Sequence, residues 1–133
     1  MEPRVIRALT VLLLLTASAA QAQVRLDTGT ATRTGQGLGA VLRTLDKVSG
    51  EVVDVEMAIG QTMAYGVLQV TLHECRYPSN NRGGDAFALI QVVDAREVKE
   101  LFAGWMIASS PALNALEHRR YDVWVLSCLT ASD

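Results

Sequence analysis

The residues able to do chemistry are few and fall mainly in residues 102–128. That stretch holds both tryptophans, one of the two cysteines and one of the two histidines. The other cysteine and histidine sit together as His73-Glu74-Cys75. On a strand His73 and Cys75 project to one face, where they could share a metal ion. Such a site needs further ligands, and these would have to be Glu117, His118 or Cys128, all distant in sequence. No closely spaced Cys or His pair nucleates it, so neither a metal nor a cofactor is expected. Cys75 or Cys128 with His118 and Asp122 supplies the residue types of a nucleophilic triad. Single residues of the right type are no motif, and a bridged cysteine has no thiolate. Ser109-Ser110 precedes Pro111 and lacks the flanking glycines of a hydrolase elbow. Residues 80–85, NNRGGD, lack the spaced acidic ligands of a calcium loop and read as a surface turn.

Candidate binding residues remain where catalytic ones do not. Trp105 and Trp124 could line a groove, although aromatics on strands more commonly fill a core. Glu117, His118, Arg119 and Arg120 crowd charge beside Tyr121, as either a contact site or a solvated helix end. The candidates are therefore Trp105, Glu117, His118, Tyr121 and Trp124, with no catalytic residue assigned.

The elements that would carry these residues alternate with period two. Residues 41–48 form a weak strand pattern, and Ser49-Gly50 offers a turn. Val53, Val55, Met57 and Ile59 then fall on one face, completing a hairpin. Residues 66–76 give the clearest strand, with Leu68, Val70 and Leu72 inward. Cys75 shares parity with the polar His73, so either the strand bulges near Glu74 or the cysteine lies on the outer side. Residues 77–85 are a loop, 86–93 a strand apolar on both faces, and 101–108 another strand. Ser110 and Pro111 suit a helix start, Ala112, Leu113, Ala115 and Leu116 an apolar stripe, and His118 to Arg120 a basic helix end. Residues 121–129 are the last strand, with Trp124, Leu126 and Cys128 on one face and Tyr121, Val123 and Val125 on the other. The expectation is a mainly β domain: a small antiparallel barrel or sandwich of five to six strands, with one short helix before the last.

The address is written at the start of the chain. Arg4 and Arg7 precede an apolar run over residues 8–19, and Ala20-Gln21-Ala22 is a small-x-small cleavage site. That is the pattern of a secretory signal peptide over residues 1–22, cut near Ala22-Gln23. The run falls short of the roughly 20 residues needed to span a bilayer, and no transmembrane segment is expected in the mature chain. Residues 23–40, rich in Gly and Thr, read as a flexible leader, and 41–129 as a single β-rich domain. Without Glu2, Arg4 and Arg7, the 12 basic and 14 acidic residues fall to a net charge of −3. This is not the balance of a nucleic-acid binder. Two cysteines in an exported chain favour a Cys75–Cys128 disulfide.

Two runs carry a resemblance. GWMIASSPALNALEHRRYDVWVLSC resembles the C-terminal signature of the domain of unknown function 2155 family of exported Gram-negative proteins. LRTLDKVSGEVVDVEMAIGQTMAYGVLQVTLHECRYP resembles its N-terminal half. Arg119 departs from the pattern, standing where the family is expected to have proline. The resemblance covers residues 41–128. It implies a periplasmic location and a partner in the envelope or at the inner membrane, but it transfers no site residues. Together these readings lead to a non-enzymatic binding or accessory domain. The alternative is a small-ligand binder with an aromatic barrel mouth, and a metal or thiol enzyme ranks below both.

Overall fold

The computed structural model describes residues 33–131; the expected signal peptide and most of the residues read as a leader lie outside them. Eight strands follow in order: β1 (Thr34–Gln36), β2 (Gly39–Asp46), β3 (Val52–Ala58), β4 (Thr62–Tyr65), β5 (Leu68–Pro78), β6 (Phe87–Asp94), β7 (Lys99–Ile107) and β8 (Tyr121–Leu129). All pairings are antiparallel. The larger sheet has the order β1-β5-β6-β7, with β4 sharing the same edge of β5 as β1. The smaller sheet has the order β3-β2-β8. Alternating apolar residues of both sheets meet in one core, which includes Leu42, Met57, Leu72, Ile90, Val123 and Val125.

Of the expected barrel or sandwich, the structure has two antiparallel sheets and no closed barrel, since β7 and β8 do not pair. The strand count exceeds the expected five to six by two short strands. β1 begins within residues read as leader, and β4 has four residues, too few to show a period. The hairpin of β2 and β3 turns where expected, with Gly50 at a positive φ of 76°.

The short helix expected after Ser110 is absent; residues 111–114 form turns and bends instead. A helix of two turns cannot hold itself together without an apolar face to pack. Here the stripe is divided: Leu113 faces solvent while Leu116, 4% exposed, plugs the core. Asn114 Nδ2 donates to the Trp105 carbonyl at 2.9 Å, tying the segment across β7.

Of the two solutions to the parity conflict at Cys75, a bulge near Glu74 or a cysteine on the outer side, the structure has the bulge. Leu72 pairs with Ile90 but Glu74 with Leu89, so His73 is the extra residue. A second bulge in β8 makes Leu126 extra, since Val41 pairs with Ser127 and Leu42 with Val125. Trp124 and Cys128 therefore do not share a face as the simple alternation expects. Each bulge turns a cysteine inward, and Cys75 and Cys128 are bridged with their Cα atoms 5.7 Å apart. The bridge joins the larger sheet to the smaller. Beside it the chain itself crosses over: Gly37 N donates to the Cys75 carbonyl at 2.7 Å and Leu38 N to the Leu129 carbonyl at 2.8 Å. A Cβ at Gly37 would lie 3.0 Å from both Cys128 Cβ and the Leu129 oxygen, so any side chain there would make its neighbours give by a few tenths of an ångström.

Closing 53 positions with a disulfide should stabilise the fold by roughly 4 kcal/mol in the chain-entropy model. Denatured, unreduced protein should show no reactive thiol, and the Cys75→Ala/Cys128→Ala variant should unfold at clearly lower urea. An unchanged midpoint would show that the bridge does not form.

Candidate functional site

The charged corner over residues 117–122 is built as architecture. Tyr121 opens β8 and is 7% exposed. Its ring meets Tyr65 edge-on at 5.1 Å, stacks on His118 at 5.4 Å and lies beneath the Arg120 guanidinium at 5.1 Å. Gly66, at φ +56°, passes so close that a Cβ there would overlap this ring. His118 Nδ1 accepts the N–H groups of Arg120 at 3.1 Å and Tyr121 at 3.0 Å, which places the neutral ring's proton on Nε2. Lys47 Nζ donates to the His118 carbonyl at 2.6 Å, and Arg120 pairs with Asp46 at 2.8 Å. The corner thus joins the β2–β3 turn to the start of β8. Glu117 is exposed and takes no part in this network.

The two tryptophans are not core residues, contrary to the expectation for strand aromatics. Met106 faces inward, so its neighbour Trp105 faces out and is 39% exposed. On the same outer face Phe87 stands opposite Ile107, and Leu89 opposite Trp105. One strand over, Arg76 pairs with Phe87 and Glu74 with Leu89 in the ladder. The Arg76 guanidinium and Glu74 carboxylate meet at 3.0 Å, forming a polar rim on this apolar surface. Phe87, Leu89 and Ile107 were not singled out from the sequence. Their shared parity with Trp105 across two strands was the available signal, visible once the register is known.

Trp124 lies elsewhere, on β8 opposite Arg43. It edges a cleft of about 500 Å³ in the seam between β7 and β8, with Met106, Pro111, Ala115, Asp122 and Val123. Trp105, Tyr121 and Trp124 therefore share no single mouth. Ser109, weighed as a nucleophile, is a clasp: its Oγ donates to Asp85 Oδ2 at 2.6 Å and its N–H to Oδ1 at 2.9 Å. Burial pushes the Asp85 carboxyl up, but these bonds and the Ala86 N–H outweigh it and hold its pKa below the ordinary carboxylate value. The bridged cysteines leave a thiol triad without its nucleophile. Among the described residues no three His, Cys, Asp or Glu side chains gather as a metal site, and no helix is long and apolar enough to cross a membrane.

Comparison with known proteins gives a family and a relative. A family model described as an uncharacterized protein conserved in bacteria (DUF2155) matches residues 40–128. An uncharacterized protein of Rickettsia prowazekii (strain Madrid E) is 24% identical over 87 residues, covering 63% of this chain and 56% of that protein. The chain thus spans little more than half of that relative's length. No solved structure matches.

The corner makes a prediction about acid. Hydrogen bonding from Arg120 lowers the Asp46 carboxyl from 3.8 to about 2. A carboxyl depressed on folding stabilises fully above its unfolded pKa, and that contribution is lost as pH falls through the folded one. Asp46→Asn should therefore lower the melting temperature at neutral pH, and the gap to the parent should close between about pH 4 and about 2. Thermal melts across that range decide it; a gap that stays constant would show that Asp46 charge contributes nothing.

Proposed function

The chain belongs to the domain of unknown function 2155 family, and we propose that it is an exported, non-enzymatic accessory domain that binds a protein of the envelope or inner membrane. The surface of Phe87, Leu89, Trp105 and Ile107 carries this reading. An outward tryptophan surrounded by apolar side chains and bordered by an ion pair has the composition of a protein contact surface. A disulfide between the two sheets fits a compartment where thiols oxidise. So does the N-terminal signal pattern.

The test is a photo-crosslinking residue at position 105 of the full chain, expressed in its own cells. A discrete protein adduct should form in the envelope fraction, and should not form with the same group at the exposed Gln69. Trp105→Ala should weaken capture by about tenfold or more, the scale of a buried aromatic anchor. Equal adducts from both positions would remove the assigned surface. A chain recovered only in the cytoplasm with reduced cysteines would remove export.

One observation favours a small ligand as a second reading. The seam cleft beside Trp124 has the volume of ligand sites, about 500 Å³, and a largely apolar lining. A cognate ligand there should shift tryptophan emission in the parent and in Trp105→Phe. Emission unmoved by a broad metabolite panel would argue against it.

A further inference from the structure

The outer edge of β3 presents a second surface, in the other sheet. Asp46 N donates to the Glu51 carbonyl and Ile59 N to the Leu38 carbonyl. The odd-numbered residues of β3 therefore bond to β2, while Val52, Asp54, Glu56 and Ala58 turn their backbone groups outward. Ala58 is covered by Gln61, whose Oε1 accepts its N–H at 2.9 Å and whose N–H donates to its carbonyl at 3.1 Å. Among the described residues nothing covers the other three. Sheet edges are commonly blunted by charged side chains, lysine above all, by proline or by a bulge. β3 has no lysine, proline or bulge: its sequence is VVDVEMA and its register with β2 is unbroken from Val52 to Ala58. Its charges, Asp54 and Glu56, are both acidic and so oppose another acidic strand rather than every strand.

The side chains along this edge also define what would fit it. Val52 and Val53 are 52% and 40% exposed, and Val48 at the adjoining turn 75%. The exposed charges of residues 51–56 are all acidic: Glu51, Asp54 and Glu56. The cation facing them, Arg43, is on β2 and is engaged by Asp54 at 2.7 Å. A second copy pairing β3 with β3 about a twofold axis would set this acidic row against itself. A basic strand would meet it with opposite charge.

We propose that the free edge of β3 takes up an extended basic segment of a partner protein as a fourth strand of the smaller sheet. Outward backbone groups of Val52, Asp54 and Glu56 supply the ladder. Lysine or arginine side chains of the partner lie beside Asp54 and Glu56, and its alternate apolar side chains beside Val53 and Val55. The site lies on a different sheet from Trp105 and stands or falls without that surface.

The experiment titrates the full chain with a short peptide alternating lysine and valine. Its two controls are a glutamate-valine counterpart and the lysine-valine peptide interrupted by proline. Amide exchange at Val52, Asp54 and Glu56 should slow by on the order of tenfold with the first peptide alone, while the Trp105 indole resonance stays in place. Glu56→Pro removes an outward N–H and leaves the inner ladder intact. It should weaken binding by about tenfold or more, and so should the milder Glu56→Lys. The proposal is overturned if these amides exchange unchanged, if the acidic peptide protects them equally, or if both Glu56 variants bind like the parent. It is also overturned if the amides are already protected in the free chain, whether by a second copy, seen as loss of protection on dilution, or by residues 23–31, seen on their deletion.

Discussion

The domain depends on one corner where a covalent bond and a chain crossing coincide. Cys75 and Cys128 join the two sheets at the point where the backbone passes from β1 to β2. Gly37 fits between the Cys75 carbonyl and the Cys128 side chain, where a Cβ would be a tight contact. Two bulges, at His73 and Leu126, are what aim the cysteines at each other. In unbroken strands both would lie on the outer faces, and the bridge could not cross the core. The buried cluster on either side, from Leu72 to Val125, is then held at a fixed separation. The apolar burial that stabilises a domain of this size is modest, so a bond between layers carries a large share of the whole.

Much of this order was legible in the residues. The β2–β3 hairpin, the inward set Leu68, Val70 and Leu72, and the pairing of the cysteines all follow from period two and from composition. The parity conflict at Cys75 was itself a signal, since a bulge was one of its two solutions. The short strands were not legible, because three or four residues show no period. The segment after Ser110 misled for a definite reason. Its capping residues and apolar spacing satisfy local rules, but Asn114 is claimed by the Trp105 carbonyl and Leu116 by the core. Tertiary demands on two residues outweighed a weak local preference.

The candidate site divided along different lines. The crowding of His118, Arg120 and Tyr121 was visible, but its use was not. His118 accepts two backbone N–H groups, Arg120 answers Asp46, and Tyr121 fills the space above Gly66. Conversely, Trp105 was expected to favour the core. Its outward direction follows from Met106, which the core takes instead. The apolar neighbours of Trp105 come from two strands and are brought together by register, which no single stretch of sequence contains.

The unpaired seam between β7 and β8 gives the molecule a mechanical asymmetry. At its far end β8 is held by a covalent bond that no thermal fluctuation opens. At the near end the layers are separated by a plug, with Leu116 seated between them and Asn114 and Ser109 latching its segment to the larger sheet. The Asn114 latch is a single hydrogen bond and the Ser109 latch a pair to one carboxylate, each bond worth on the order of 1–3 kcal/mol. What closes the seam therefore differs in kind between its ends: hydrogen bonds that can exchange with water at the plug, and a covalent bond at Cys128 that cannot.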